Sequence, residues 1–349
     1  MAKVLSLFSG SLASRVATRI VEQHPDVECV YLLHFRSPFS REFEDLRQLV
    51  RTEWPHAIYR TQSIKKEYRR LVQITDDGEF SLALSCHDCL SLLLAKAVRY
   101  MERIEADYLV SGEVPGQSSR VTERLERAAR DLGIEDRILR PLCAGASRKR
   151  GLEKWVGRDG NGTASRGASA ALTKLAERVG LDAADPMAAC HRCKLMTPGF
   201  GERVASLFGE AGFTLNALRL LDFSLFYKVS SDVKIVLARD EQEKRELQNL
   251  FLPQDLRVYP ATPHGPMTLV RADWRRRGAE QQEVIELAAR ITATFAGPKR
   301  PETVPIYYRL ESEDETHLLN VSPFEDEAAI ARWKDVEMIP LGQHGAVVS

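Results

Sequence analysis

The sequence predicts an α/β protein, with a Rossmann-like parallel sheet that carries helices on both faces and a smaller α+β C-terminal region. Three observations support this fold class. Short apolar segments alternate with helically spaced apolar residues over 1–143, and such alternation favours a parallel sheet. A glycine-rich, basic stretch of 144–170 interrupts the pattern. Further strands and helices follow within 223–349, which predicts a second, smaller region.

The elements of the first region follow one another in a regular order. The first strand is expected at 4–8, and it leads into a helix whose buried side includes Val16 and Val21. The remaining strands of this sheet are expected at 30–35, 57–59, 108–111 and 137–139. Helices are expected around 43–50, 68–74, 86–103 and 121–132. Ligands of such a sheet bind at the carboxyl ends of its strands.

The chain is expected to divide into four segments. The α/β domain covers 1–143, and the basic glycine-rich loop covers 144–170. The loop is interpreted either as a plain insertion or as an electrostatic arm for RNA. A helical continuation covers 171–222, and the C-terminal α+β region covers 223–349. In that last region the strands are expected at 232–240, 256–260 and 267–271, with a closing hairpin of 306–310 and 317–321.

Composition limits the classes of protein that fit. The chain has 349 residues, with 49 basic and 49 acidic side chains and a formal net charge of zero. Any RNA-binding surface must therefore be a local patch, since the chain has no overall positive field. No apolar run approaches the roughly 20 residues that span a bilayer, so we expect a cytoplasmic protein with no membrane partner.

Small hydroxyl residues follow the first strand, at Ser9, Gly10, Ser11 and Ser14. A helix that begins there would direct its unpaired N–H groups and the positive end of its dipole at an anion, with serine hydroxyls as further donors. The alternative is an ordinary strand-to-helix connection. The sequence pattern alone leaves both interpretations open.

Two C-x-x-C pairs, Cys86 with Cys89 and Cys190 with Cys193, account for four of the six cysteines. In a reducing compartment such pairs indicate metal or redox chemistry. Four thiolates would complete a structural zinc site, and a thiol–disulfide pair is a second interpretation. Cys86 and Cys89 are one helical turn apart near a helix start, which is expected to favour their thiolate forms. The structural alternative is that they are small core residues.

The segment from Ser9 to Ser14 resembles the PP-loop of the ATP pyrophosphatase superfamily, whose pattern is Ser-Gly-Gly-x-Asp-Ser. Ala13 stands where that pattern has its aspartate. The order of the later segments is similar to that of the PP-loop tRNA thiouridylases, a group related to the 4-thiouridine and 2-thiouridine synthetases. Cys193, followed by Leu195, Met196 and Thr197, matches the cysteine motif of that group best.

The resemblance implies a set of site residues. It implies ATP with Mg²⁺ at an N-terminal nucleotide-binding domain, and an iron–sulfur cluster with Zn²⁺ as the alternative. Glu113 is the candidate magnesium ligand in place of Ala13. The implied nucleotide-binding residues are Ser9, Gly10, Ser11, Ser14, His34, Gly112, Glu113 and Gln117. The implied catalytic residues, which are also the implied cluster ligands, are Cys86, Cys89 and Cys193. Cys190 is the fourth metal ligand in the zinc interpretation, which rests on the two C-x-x-C pairs.

The resemblance also implies a function, which is an ATP-dependent tRNA sulfurtransferase that adenylates a tRNA uridine and then thiolates it. Its partners would be tRNA, ATP and a sulfur donor, with a homodimer left open. The alternative hypothesis is a degenerate relative that no longer cleaves ATP and serves as an iron–sulfur- or zinc-bearing RNA-binding accessory protein. Ala13 is the residue that separates the two hypotheses.

Overall fold

The computed structural model describes residues 1–40, 44–64, 67, 71–77, 79–114, 119–143, 168–183, 193–207, 213–262, 264–297, 302–333 and 336–341. It divides into two compact units. The first comprises 1–73 and 81–194, and the second comprises 74–80 and 195–349. Most of the predicted basic loop, 144–170, lies outside the described residues. The predicted domain boundaries stay predictions.

The first unit is built on a parallel sheet, as predicted. Its five strands are β1 (Ala2–Leu7), β2 (Val27–Arg36), β3 (Ile58–Ser63), β4 (Tyr108–Val110) and β5 (Ile138–Leu139). They lie in the order β3-β2-β1-β4-β5, and all neighbours in this sheet are parallel. The order reverses direction at β1, so the carboxyl ends of β1 and β4 flank the place where α/β sheets bind ligands.

Helices cover both faces of this sheet. They are α1 (Leu12–Glu22), α2 (Glu44–Glu53), α3 (Leu82–Arg103), α4 (Ser119–Asp131) and α5 (Ala168–Arg178). Successive residues of a strand point to opposite faces, and β1 follows that rule. Val4 packs in one core cluster with Val16 of α1, whereas Leu5 packs in the other with Leu94 of α3. The two clusters explain why consecutive residues of β1 such as Val4 and Leu5 are both apolar and fully buried.

The second unit is α+β, with an antiparallel sheet of seven strands. The strands are β6 (Leu225–Lys228), β7 (Lys234–Ala238), β8 (Leu256–Pro260), β9 (Met267–Arg271), β10 (Val304–Leu310), β11 (His317–Val321) and β12 (Glu337–Met338). Their order is β11-β10-β8-β9-β7-β6-β12. The predicted hairpin is confirmed, because β10 and β11 pair antiparallel from Val304 with Val321 to Tyr308 with His317.

Six helices accompany this sheet in the described part of the second unit. They are α6 (Phe200–Ala205), α7 (Leu215–Leu220), α8 (Glu241–Gln248), α9 (Trp274–Arg277), α10 (Gln281–Thr294) and α11 (Glu327–Ala331). Helix α10 contacts β8, β9, β10 and β11. Its Ala288 and Ile291 are fully buried in a core cluster with Val258 and Ile306 of the sheet. This core cluster therefore lies on the face of the sheet under α10, while Val236 and Leu269 on the other face of the central strands are buried as well.

Candidate functional sites

The serine-rich turn after β1 forms a well-capped helix start. Ser11 is the N-cap of α1, and its hydroxyl accepts a hydrogen bond from the Ser14 amide at 3.3 Å. Ser9 Oγ lies 2.9 Å from Ser11 Oγ and 3.2 Å from Ser14 Oγ, so its single proton can be donated to either hydroxyl. Gly10 has φ +80°, a left-handed conformation that favours glycine. The hydroxyls of this turn thus bond to one another and to the first turn of the helix.

The loop after β4 lies directly against this turn. A Cβ atom added to Gly112 would stand 2.7 Å from Ser14 Cα and 2.8 Å from Ser14 N, so only glycine allows this approach. His34 is buried, and its Nδ1 lies 2.9 Å from the Phe8 carbonyl oxygen. A carbonyl only accepts, so Nδ1 carries the proton in this bond. The fold therefore brings Ser14, Gly112 and His34 to one end of the sheet, while Gln117 lies outside the described residues.

Glu113 forms an ion pair with Arg140, the residue that follows the neighbouring strand β5. Its side chain is 5% exposed, and its Oε2 lies 2.8 Å from Arg140 Nε. Burial acts to lower the pKa of Arg140, but the charges of Glu113 and Cys143 and the hydrogen bonds to Glu113 and Glu126 raise it overall. Arg140 keeps its charge at neutral pH. A magnesium ion at Glu113 would have to compete with this guanidinium, and the assignment of ATP and Mg²⁺ here stays a prediction.

Three predicted site cysteines lie together in the first unit. Cys86 and Cys89 are on α3, and Cys193 forms an isolated β-bridge with Ser40. Burial, and then the nearness of Cys193 and Cys86, raise the pKa of the Cys89 thiol to about 12. The expectation of a thiolate at Cys89 is therefore wrong. Helix α3 begins at Leu82, so the cysteines lie in its second turn, away from the end where the dipole stabilises an anion.

The structure offers no metal centre in the residues that it describes. No group of three or more His, Cys, Asp or Glu side chains there is arranged to hold a metal ion, so the described thiols alone do not fit one. Cys190 lies outside the described residues. The assignments of an iron–sulfur cluster or a zinc ion, and of Cys86, Cys89, Cys190 and Cys193 as site residues, accordingly stay predictions.

The second unit carries an aromatic and basic surface on β8 and β10, at positions where the sequence predicts strands and no site. On β8, Leu256 and Val258 are buried, whereas Arg257 and Tyr259 are half-buried. Tyr259 is paired with Tyr307 of β10, and their ring centroids are 5.8 Å apart. The alternation of apolar and arginine or tyrosine residues in β8 is the signal that could have indicated this surface.

Comparison with known proteins concerns this second unit. Residues 226–334 match the model of the NFACT protein RNA binding domain family. That segment runs from β6 to the residues after α11 and includes the surface of Tyr259 and Tyr307. The chain is thus similar to an RNA-binding domain over this part of its length. No curated protein matches the chain.

One solved structure that matches part of this chain is the C-terminal part of the fibronectin/fibrinogen-binding protein from Streptococcus suis. The sequences are 14% identical, and the match covers 48% of this chain and 76% of that one, with a TM-score of 0.27. A TM-score of this size does not establish a common fold.

The identification with the PP-loop superfamily and the thiouridylases is wrong, because the family model that matches is an RNA-binding domain at 226–334. The prediction of an ATP-dependent tRNA sulfurtransferase is therefore also wrong. The alternative hypothesis of an RNA-binding accessory protein agrees better with the family match. The resemblance rested on a serine turn, on a short cysteine motif and on an order of strands and helices that parallel α/β sheets share. ATP, a sulfur donor and a homodimer have no support as partners.

None of the described helices is long and apolar enough to cross a membrane.

Proposed function

We propose that this chain is an RNA-binding protein and that its second unit makes the contact. The observation that carries the proposal is the match of residues 226–334 to the NFACT protein RNA binding domain. The net charge of the whole chain is zero, but this segment contains local clusters of arginine side chains, which RNA binding requires. The proposal assigns no catalytic activity to the chain.

One such feature is the run of three arginines in α9. Arg275 and Arg276 are exposed, and the Arg276 side chain is 79% exposed with an ion pair to Asp273 at 3.0 Å. Trp274 fixes the start of this helix, since its indole Nε1 donates to the Gln254 carbonyl at 2.7 Å. Exposed guanidinium groups on a fixed element suit phosphate oxygens, which accept two N–H bonds from one arginine. These arginines would supply sequence-independent phosphate contacts.

The test uses the full chain and a fluorescein-labelled single-stranded RNA of mixed sequence, ~16 nucleotides long. Fluorescence anisotropy is followed at several KCl concentrations between about 50 and 200 mM. We expect saturable binding whose log Kd rises linearly with log[KCl], because bound phosphates release counterions. An anisotropy that stays at its free value at the lowest salt would refute the proposal. The predicted tRNA partner is tested with unlabelled tRNA as a competitor.

A further inference from the structure

The side chains of β8, β10 and β11 separate into two faces. Leu256, Val258 and Ile306 belong to the core cluster under α10. Strand residues alternate, and the register pairs Arg257 with Arg309 and Tyr259 with Tyr307. Tyr307 is in turn paired with Leu318. The opposite face, which we call the tyrosine face, therefore consists of Arg257, Tyr259, Tyr307, Arg309 and Leu318.

The tyrosine face has apolar surface that is not buried in the core of the second unit. Leu318 is 55% exposed, a high value for a leucine on a strand. Tyr259 and Tyr307 are both half-buried, and their ring planes are tilted at 42° to each other. In a tilted pair the rings do not cover each other's faces, as they would in a parallel stack. Aromatic and aliphatic surface on this face is thus accessible to a partner.

Arginine side chains border this apolar surface. The guanidinium of Arg257 lies 4.3 Å from the centroid of the Phe251 ring and donates to both carboxylate oxygens of Glu311, at 2.6 and 3.1 Å. Its charge is therefore balanced by Glu311. The side chain of Arg309 is half-buried and makes no hydrogen bond or ion pair with the side chains that the structure describes. Arg309 therefore places a positive charge on the same face as the two tyrosine rings, two residues along β10 from Tyr307.

We infer that the tyrosine face binds the unpaired bases of single-stranded RNA, an inference that rests on the proposed RNA-binding function. Bases stack on Tyr259 and Tyr307 and contact Leu318, while Arg309 pairs with a backbone phosphate. Adjacent aromatic rings with a nearby cation are the combination by which proteins hold single strands without reading their sequence. The rings of Tyr259 and Tyr307, on neighbouring strands and with centroids 5.8 Å apart, offer two adjacent aromatic surfaces to one strand of RNA. Duplex RNA, whose bases are already stacked, gains nothing from these rings.

The experiment measures Kd of the full chain for the labelled single strand and for the same sequence as a hairpin duplex. The key variants are Tyr307→Leu and Tyr259→Leu, which remove a ring and keep an apolar side chain. The matched control is Tyr308→Leu, since Tyr308 is the next residue on β10, packs against the core cluster under α10 and stacks on His317 with centroids 5.1 Å apart. Circular dichroism and thermal unfolding verify that each variant folds.

We expect Tyr307→Leu and Tyr259→Leu each to weaken single-strand binding roughly ten- to a hundredfold, since base–aromatic stacking contributes a factor of this size per base. Duplex binding should change less than threefold, and Tyr308→Leu should bind like the wild type. If wild-type protein binds RNA but folded Tyr307→Leu and Tyr259→Leu bind the single strand equally well, the tyrosine face is not the binding surface and the RNA-binding function still stands. If the wild type binds neither RNA, both proposals are overturned.

Discussion

Glu113 and Arg140 form a buried ion pair at the carboxyl end of the parallel sheet, with side chains 5% and 10% exposed. Arg140→Met would leave the carboxylate buried without its nearest cation. We expect the free energy of unfolding to fall by about 3–5 kcal/mol, the usual cost of breaking a buried pair from one side. Urea unfolding followed by circular dichroism measures it.

The double variant Glu113→Gln with Arg140→Met is the control for this pair. It removes both charges, so it should recover a large part of the lost stability. A loss below about 1 kcal/mol for Arg140→Met alone would contradict a structural role of the pair.

Gly112 is the residue at which the β4 loop approaches α1. Gly112→Ala should lower the free energy of unfolding by about 1–3 kcal/mol, because the new methyl group meets backbone atoms of Ser14 that cannot rotate away. Gly297→Ala is the matched control, since no atom lies within 4 Å of its added Cβ. It should stay within about 0.5 kcal/mol of the wild type. Equal effects of the two variants would show that the close approach is absent in solution.

Cys89 should be an unreactive thiol. Burial first, and then Cys193 and Cys86, raise its pKa from 9.0 to about 12, and alkylating reagents attack the thiolate. At pH 8 we expect Cys89 in the folded chain to react about a thousandfold more slowly than in the urea-unfolded chain, as resolved by peptide mass spectrometry. A metal ion on this thiol would protect it as well, so the rate is also measured after a chelator.

The same raised pKa predicts a pH dependence of stability. The folded state keeps the Cys89 proton longer than the unfolded state, so its stabilising contribution is complete below pH 9 and is lost as the pH rises towards about 12. The replacement Cys89→Ser should flatten this decline in the unfolding free energy. If the unfolding free energy of Cys89→Ser declines as steeply with pH as that of the wild type, groups other than Cys89 cause the decline.

Arg203 holds the chain segments of the second unit together. Its fully buried guanidinium donates to the carbonyls of Ile339 at 2.7 Å, Leu221 at 2.8 Å and Ser224 at 3.0 Å. Burial lowers its pKa to about 10, which leaves it charged at neutral pH. Arg203→Met should cost roughly 3–5 kcal/mol, because it leaves buried carbonyl groups without donors.

The matched control for Arg203 is Arg219→Met, at an exposed arginine of α7 in the same unit. We expect a change within about 0.5 kcal/mol in this variant. Urea unfolding compares the two, and similar losses would mean that the guanidinium of Arg203 does not act through these carbonyls.

The exposed arginines of α9 should govern the electrostatic part of RNA binding. In the double variant Arg275→Glu with Arg276→Glu, we expect weaker binding to every RNA tested and a slope of log Kd against log[KCl] reduced by about 1 per lost phosphate contact. The control is Arg51→Glu, which reverses an exposed charge on α2 in the first unit. An unchanged slope in the double variant would remove α9 from the RNA contact.

Most strands and helices were predictable, but the helix expected at 68–74 is wrong: the described residues 71–74 form no α-helix, and Ile74 makes an isolated β-bridge with Phe80. The role of the serine turn was not predictable either. The runs around Val4 and Leu32 are apolar on both faces, which is typical of a parallel strand between two helical layers, and the structure places them there. The turn at Ser9 to Ser14 matched a family pattern in short-range sequence only. Helix N-caps use the same small hydroxyl residues for their own hydrogen bonds, so the pattern does not by itself identify a ligand.

The sequence by itself determined the parallel α/β unit, the antiparallel hairpin of β10 and β11 and the absence of an overall positive charge, because periodicity and composition are local or additive properties. Only the tertiary structure decided that Glu113 pairs with Arg140, that Gly112 lies against Ser14 and that Tyr259 stands beside Tyr307. Each of these contacts joins residues far apart in the chain. Strand order and register select such partners, and both follow from how the whole core packs.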